Sequence, residues 1–394
     1  MIKFTLRYNL IYILQLIIWN LLRKIEKTVV SSVLNFDKSI IFTLLMFLGE
    51  LIMGFAIYSY QLNFLRKNNN KPSKFMSITL IQNSNELVPP DSKYKIYFLL
   101  FFASFFDFVE FTISIFYLPK YFDISISLES RLSGILTISS ALFFYYILKL
   151  QIFKHQFFSL LIIGVCLIIV IISEFFLFEF KEIGKFIVAL ILIFTVHIFN
   201  SFLDSTEKYL FEYDFINPFR ALMWEGIFGS ILTLLYFFVK NPFQDILYFY
   251  EENSLDTFII LIALLFLYII LGGGRNVFRV VTNKIYSPMA KTLTDYILNP
   301  FYLIYDFSLG NDFHDKSGPN FAYFFINLII SFIISICGCV YNEFLVLFCC
   351  KLEYETYIQI SQRATIMADD NSEENNSSEE SSSSSNSFIE YNDL

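Results

Sequence analysis

The sequence predicts an all-α polytopic membrane protein with about ten transmembrane helices. Of its 394 residues, 56% are apolar and only 16% are charged, whereas soluble globular proteins carry about 25% charged residues. Apolar stretches long enough to cross a bilayer as a helix recur along the whole chain. They are too long and too uniformly apolar for the strands of a barrel, so helices are the expected spanning element.

Each predicted span is a mostly apolar stretch near the length of a membrane helix. The first is the weakest, because charged residues interrupt its second half at 23–27, and the fourth carries Glu129 and Arg131 near its start. The ten spans are 6–29, 39–62, 95–118, 125–148, 156–177, 184–206, 217–239, 257–279, 286–307 and 321–348.

Charge asymmetry between alternate loops predicts the orientation. Lys and Arg gather near the N-terminus, in 66–95, at 149–154, at 208–220 and at Lys351, whereas the alternate loops are acidic. Cytoplasmic loops of membrane proteins are enriched in Lys and Arg. We therefore expect the basic set to be cytosolic, and an even number of helices then places both termini in the cytosol.

Ten helices divide into two groups of five, residues 1–180 and 181–350, followed by a tail at 351–394. An odd number of helices in each half gives the halves opposite orientations, which is the inverted-repeat plan of many transporters. The polar stretch 64–93 is expected to be a cytosolic loop. The tail is acidic and rich in Ser, and it contains too few apolar residues to fold, so disorder is expected there.

Two sequence coincidences support an internal repeat. Ser127 precedes Arg131 by four residues in the fourth span, and Ser287 precedes Lys291 by four residues in the ninth. The second and seventh spans carry Glu50 and Glu225, each beside a glycine.

Several short motifs resemble the drug/metabolite transporter superfamily. Within it, residues 39–348 are most similar to the nucleotide-sugar-transporter-like solute carriers of family 35, closest to the F subgroup. The motifs are Met46-Phe47-Leu48-Gly49-Glu50, Arg131, Glu207-Lys208-Tyr209, Pro218-Phe219-Arg220-Ala221, Glu225-Gly226-Ile227-Phe228-Gly229, and the stretch from Val281-Thr282 through Ser287 and Lys291 to Asp295. The resemblance implies two inverted five-helix halves, a central cavity, and alternating access without ATP hydrolysis. Arg275 and Arg279 depart from the family pattern.

Ionisable residues at membrane depth are the candidates for substrate binding, because each costs roughly 2.5–3.5 kcal/mol on insertion and persists where it faces an interior cavity. Two cations on symmetry-related helices could hold an anionic group, and two carboxylates three residues apart on one helix face would suit proton coupling. The candidates are Glu50, Asp107, Glu110, Arg131, Glu225, Lys291 and Asp295.

Structural roles remain open for the same residues. Lys291 and Asp295 lie four residues apart and could form an intrahelical pair. The carboxylates at 107 and 110 could pair with Arg131. The glycine triplet 272–274 could break the eighth helix. The two arginines that follow it at 275 and 279 could bind a substrate anion or, as is more common, extend to the cytosolic interface.

These observations favour a secondary-active transporter of a small polar or anionic solute in an endomembrane, the lysosome, endosome or Golgi. No catalytic constellation, metal-ligand cluster or nucleotide-binding motif is evident, so neither an enzyme nor a cofactor is expected. The expected partners are the lipid bilayer, the solute and, at a tail that ends in the sorting pattern Tyr391-Asn392-Asp393-Leu394, an adaptor protein. Nucleic acid is not expected, and a homodimer is possible. The alternative is a non-transporting receptor or scaffold that acts through its cytosolic loops and tail.

Overall fold

The computed structural model shows a chain built almost wholly of helices, described here for the residues whose placement is defined. These are 2–4, 11–32, 34, 36, 40–67, 92–118, 126–147, 149, 151–177, 183–239, 241–286, 288–308, 314–315, 318–347, 352, 356 and 359. Most of the loop 64–93 and the tail after 359 therefore lie outside the described residues, as do Ser287, Tyr391 and Leu394.

Twelve α-helices are present in the described part of the chain, and α3 continues into a π-helix at Thr112–Tyr117. The helices are α1 Ile11–Ser32, α2 Ile41–Lys67, α3 Ser92–Phe111, α4 Ile126–Arg131, α5 Gly134–Ile147, α6 Lys154–Leu177, α7 Ile183–Glu212, α8 Pro218–Tyr236, α9 Phe243–Glu252, α10 Leu255–Ile285, α11 Pro288–Ser308 and α12 Phe321–Tyr341.

Two short antiparallel strand pairs join the helices. Strand β1, Ile2–Phe4, pairs with β4, Leu345–Leu347, and so brings the start of the chain beside the end of α12. Strand β2, His314–Asp315, pairs with β3, Gly318–Pro319, between α11 and α12.

Six helices in the described residues are long and apolar enough to cross a membrane: α2, α3, α6, α7, α10 and α12. Many of their large apolar side chains are exposed, among them Phe55, Ile168, Ile191 and Ile259. A water-soluble protein rarely exposes apolar surface on this scale. The architecture is that of a polytopic membrane protein, in agreement with the predicted helical class.

Each of the ten predicted spans overlaps a helix, but several boundaries differ. The fourth span is interrupted at 132–133, between α4 and α5, and the tenth ends at Tyr341 rather than at 348. Glu343 has a φ of 59°, a left-handed conformation that ends a helix. Helix α7 runs six residues beyond the predicted end at 206, so that Glu207 and Lys208 are helical and buried rather than part of a loop.

The glycine triplet 272–274 does not break a helix, contrary to one of the sequence interpretations. Helix α10 continues through it, and a Cβ atom on Gly273 would lie only 2.5 Å from the carbonyl oxygen of Gly49 on α2. A Cβ on Gly54 would likewise meet the backbone nitrogen of Met223 on α8 at 2.8 Å. Small residues allow helix backbones to approach closely, and here they let α2 pack against both α8 and α10.

Helices of the N-terminal half pack mainly on helices of the C-terminal half. Helix α2 packs on α8 and α10, α1 packs on α10 and α11, and α3 packs on α7 and α8. Helix α7 also packs on α5, and α12 packs on α6 and α11. The interior where α2, α3, α7, α8, α10 and α11 meet holds the ionisable residues described next.

Candidate functional site

Ten ionisable side chains from six helices meet inside the molecule, and we call them the central cluster. Most are almost completely buried; Arg275 and Asp295 are half-buried. The members are Glu50 on α2, Asp107 and Glu110 on α3, Asp204 and Glu207 on α7, Glu225 on α8, Arg275 and Arg279 on α10, and Lys291 and Asp295 on α11.

Arg279 lies among the carboxylates of the central cluster and is only 2% exposed. Its Nη1 is 2.7 Å from Glu207 Oε1 and 3.7 Å from Asp204 Oδ1. Its Nη2 donates to Glu225 Oε2 at 3.2 Å and lies 3.9 Å from Glu50 Oε1. One guanidinium therefore links α10 to α2, α7 and α8.

Lys291 directs its three N–H donors at α7. Its Nζ is 2.7 Å and 2.9 Å from the two carboxylate oxygens of Asp204, and 2.9 Å from Asn200 Oδ1. Asp295, one helical turn further along α11, interacts electrostatically with both Arg275 and Lys291. The hydrogen bonds of Lys291 go to α7, so the described contacts differ from the intrahelical pair with Asp295 that the sequence left open.

Asparagine side chains hold the carboxylates in place. Asn276 donates to Glu50 Oε1, and Asn283 donates to Glu207 Oε2 at 2.7 Å. Asn200 donates to Glu110 Oε1 at 3.3 Å. Buried polar groups are normally hydrogen-bonded, and these amides give each carboxylate a fixed direction.

Asp107 and Glu110 share one face of α3 and interact with each other. Their nearest cations are Arg279, Arg275 and Lys291. The sequence left open a pair between these carboxylates and Arg131. The described contacts of Arg131 are instead with Glu174 and Tyr323.

Arg131 lies in a second buried cluster, which we call the Arg131 cluster. Its Nη1 contacts the carboxylate of Glu174 on α6 and donates to the hydroxyl of Tyr323 on α12 at 2.7 Å. Tyr323 also donates to Glu174. Glu174 lies within the predicted fifth span and is buried on α6, where it neutralises Arg131.

Local capping fixes the helices that supply these residues. Asn217 is the N-cap of α8, since its Oδ1 accepts from the backbone N–H of Phe219 at 2.9 Å, and Pro218 occupies the first helical position. Its Nδ2 donates to Gln61 Oε1 on α2 at 3.0 Å, which joins the two helices that carry Glu225 and Glu50.

The structure brings Glu50, Asp107, Glu110, Glu225, Lys291 and Asp295 together, whereas Arg131 belongs to the other cluster. Sequence reasoning missed Asp204 and Glu207, although Asp204 lies inside the predicted sixth span and met the criterion of an ionisable residue at membrane depth. It favoured the cytosolic interface over substrate binding for Arg275 and Arg279, whereas both belong to the central cluster. The spacing of four residues, which puts both arginines on one face of α10, was the available signal that they act together.

The described residues contain no group of three or more His, Cys, Asp and Glu side chains arranged to hold a metal ion. The central cluster is instead a network of ion pairs and amides that can accept a small polar molecule by exchanging partners. No known family model matches the sequence, and no curated protein matches it.

Proposed function

We propose that the protein is a secondary-active transporter of a small polar solute, which binds at the central cluster. The observation that carries the proposal is a cluster of ten ionisable side chains where six helices meet, eight of them buried and two half-buried, in a chain with membrane-length apolar helices. Such residues inside membrane proteins mark solute and ion pathways, because burial is unfavourable without a function to retain them.

The packing of the helices supports an architecture of two inverted five-helix repeats. In this scheme α1, α2, α3, α4 with α5, and α6 correspond to α7, α8, α10, α11 and α12. The helix contacts then fall into symmetry-related pairs. The contact of α1 with α10 corresponds to that of α7 with α3, and the contact of α2 with α10 corresponds to that of α8 with α3. The contact of α1 with α11 corresponds to that of α7 with α5. Helices α2 and α8, which would be exchanged by the symmetry, pack on each other, and so do α6 and α12.

Membership of the drug/metabolite transporter superfamily is part of the same proposal. It is supported by the sequence motifs around Glu50, Glu225 and Lys291, which the structure places in one cluster. An alternating-access cycle would rearrange the ion pairs that join the halves, chiefly those of Arg279 with Glu207 and Glu225 and of Lys291 with Asp204.

The test is uptake by proteoliposomes that contain the purified full-length protein. The vesicles are incubated with a defined mixture of nucleotide sugars, amino acids, short peptides and organic cations, and their contents are identified by mass spectrometry. We expect at least one solute to accumulate above the level in protein-free vesicles. We expect Lys291→Gln to reduce that uptake at least about tenfold, because the variant removes the charge that holds Asp204.

Lys67→Gln is the matched control, since Lys67 is exposed at the end of α2. Its uptake should equal that of the unmodified protein. Accumulation of no solute would refute the transporter proposal and favour the receptor alternative. Deletion of residues 366–394 separates the two further: a transporter should keep its uptake in vesicles and lose only its cellular location, whereas a receptor should lose its function.

A further inference from the structure

The central cluster contains more carboxylates than cations. Among the described residues it holds seven carboxylates and three cations, a formal excess of four negative charges. Two further charges interact electrostatically with members of the cluster: Arg23 with Arg275 and Asp295, and Glu129 with Glu110. These two have opposite signs, so they leave the excess unchanged.

Carboxylates outside the cluster's ion pairs account for this excess. Asp204 pairs with Lys291, and Arg279 pairs with Glu207 and Glu225. Arg275 donates its hydrogen bonds to the amides of Asn20 and Asn276 rather than to a carboxylate. The carboxylates that remain without a short ion pair of their own are Glu50, Asp107, Glu110 and Asp295.

Four carboxylate oxygens in the cluster accept no hydrogen bond. They are Oε2 of Glu50, Oδ2 of Asp107, Oε1 of Glu207 and Oε1 of Glu225, all on side chains that are at most 3% exposed. Glu207 Oε1 lies 2.7 Å from Arg279 Nη1 and so has an ion-pair partner. A buried acceptor without a donor is unfavourable by about 1–3 kcal/mol, and more for a charged group. The other three oxygens therefore require N–H or O–H groups from a bound molecule, or protons of their own.

Three residues at the cluster are only half-buried. Arg275 and Asp295 are half-buried although they lie well inside α10 and α11, and Asn200 on α7 is half-buried as well. Asn200 bonds both Glu110 and Lys291 of the cluster. A small molecule that reaches Asn200 is therefore next to a carboxylate without a short ion pair.

We propose that the transported solute carries a positive charge, as an ammonium or guanidinium group, and that it exchanges with protons bound to Glu50 and Asp107. The inference rests on the proposed transport function and gives the solute the opposite charge from the anionic group that the sequence favoured. An organic cation is preferred to a metal ion because no three or more His, Cys, Asp and Glu side chains of the described residues are arranged to hold a metal.

The proposed exchange of a cationic solute for protons leaves the net charge of the cluster unchanged. Buried carboxylates without a short ion pair must be neutralised in a low-dielectric interior, so in the empty carrier protons fill this role. Each positive charge that enters the cluster displaces one proton, which leaves the cluster. The displaced protons free carboxylate oxygens that accept the N–H groups of the solute.

The groups that set this exchange come from all the packed helices. Glu50 faces Asp107, Glu207, Arg279 and Arg275. Asp107 also faces Glu110 and Lys291, and Glu225 faces Glu207, Arg279, Glu50 and Asp107. Protonation of the carboxylates without a short ion pair is the proposed step that varies with pH.

The experiment measures thermal stabilisation of the detergent-purified full-length protein. The probes are choline and agmatine as cations, 3,3-dimethylbutan-1-ol as the uncharged isostere of choline, and glucose 1-phosphate as an anion. A ligand that binds the folded state raises the melting temperature by mass action. We expect a cation to stabilise the protein near pH 8 and to bind at least about tenfold more weakly near pH 5.5, because protons compete for the same oxygens.

Release of protons, measured with an indicator dye in weakly buffered solution, should accompany cation binding. Glu50→Gln and Asp107→Asn should each abolish most of this release and of the pH dependence, while a melting curve of the empty variant shows that it folds. Glu212→Gln is the control on α7, because Glu212 is exposed and pairs with Lys208 outside the cluster. It should behave as the unmodified protein does.

The outcomes separate the inference from the function on which it rests. Stabilisation by a cation together with proton release supports both. Stabilisation only by the alcohol or the phosphate, or uptake of an uncharged or anionic solute by the vesicles, overturns the cation inference and leaves transport standing. No stabilisation by any probe, with no uptake of any solute by the vesicles, overturns both.

Discussion

Arg279 shows why the burial of a charge depends on its partners. Its guanidinium contacts the carboxylates of Glu207, Glu225 and Asp204 from two other helices. An unpaired charge would be expelled from this interior, whereas a charge with several partners is retained. Arg131 is buried for the same reason, with Glu174 and Tyr323 as its partners.

Removing one partner of the Arg131 cluster should therefore be more harmful than removing both. We expect Arg131→Met to lower the free energy of unfolding by about 3–5 kcal/mol, because Glu174 is left as a buried uncompensated charge. The double variant Arg131→Met with Glu174→Gln should recover more than half of this loss. Thermal melting of the purified variants measures the difference.

Arg66→Gln is the control for loss of an arginine, since Arg66 is exposed at the end of α2. Its melting temperature should match that of the unmodified protein. If the double variant loses as much stability as the two single variants together, Arg131 and Glu174 contribute to stability independently.

Sequence reasoning selected six of the ten residues of the central cluster because each is ionisable within an apolar stretch. It missed Glu207 because the predicted span ended at 206, one residue before Glu207 and six before the end of α7. It favoured an interfacial position for Arg279 because periodicity gives the helix face of a residue but not the element that the face contacts. A partner that is distant in sequence, such as Glu174 for Arg131, could not be identified, because its position beside Arg131 depends on how α6, α4 and α12 pack.

Helix α2 is the element on which the packing of the interior depends. It lies between α8 and α10, and glycines on all three helices bring the backbones into contact. Gly49 and Gly273 make this contact between α2 and α10, beside Glu50 and Asn276. The positions of the hydrogen-bonded carboxylate and amide therefore follow from the distance between these two helices.

A single methyl group at this contact should separate the helices. We expect Gly273→Ala to lower the melting temperature and to reduce uptake by the proteoliposomes at least about tenfold, because a small displacement of catalytic or binding groups has a large effect on rate. A Cβ atom at residue 273 would lie 2.5 Å from the carbonyl oxygen of Gly49.

Gly184→Ala is the matched control, since a Cβ atom there meets nothing within 4 Å near the start of α7. Alanine is a better helix former than glycine by about 0.8–1.0 kcal/mol in a helix interior. The control should therefore melt at the same temperature as the unmodified protein or slightly higher. Equal melting temperatures and equal uptake for Gly273→Ala and Gly184→Ala would contradict a role for the close contact of α2 and α10.

Three consecutive glycines favour a break in a helix, because glycine has a low helix propensity. Propensity describes an isolated helix, whereas the close approach of α2 and α10 stabilises the helix through tertiary contacts. Existence of the long apolar helices was predictable from composition and length. The interruption between α4 and α5 and the extension of α7 were not, because both depend on neighbouring helices.

At the scale of the whole molecule, the number of membrane crossings decides the topology. Six helices meet the length and hydropathy requirements on their own. Helices such as α8 carry buried polar residues on one face, which lowers their mean hydropathy without preventing them from crossing. The ten-span proposal requires α8 to connect opposite sides of the membrane.

Cysteine labelling tests the crossing of α8. We expect a cysteine in place of Tyr213, before α8, to react with a membrane-impermeant maleimide from the cytosolic side. A cysteine in place of Val239, after α8, should react only from the opposite side. Both native side chains are exposed, at 54% and 71%, so neither substitution disturbs the interior. Labelling of both from the same side would refute the ten-span topology.

The background for this comparison is the unmodified protein, whose free cysteines in the described residues, Cys166, Cys337 and Cys339, are buried or half-buried. Its labelling should be lower than that of either variant. The charge asymmetry of the loops predicts the orientation, and the labelling measures it directly.

The excess of carboxylates over cations in the central cluster also determines how the proposed carrier responds to membrane voltage. A charge that crosses the whole membrane changes in energy by about 2.3 kcal/mol for every 100 mV. When one proton leaves for each positive charge that enters, the exchange moves no net charge, and voltage does no work on it. The proton gradient alone then drives the cycle, so a compartment with an acidic interior would accumulate the solute equally well at any membrane potential.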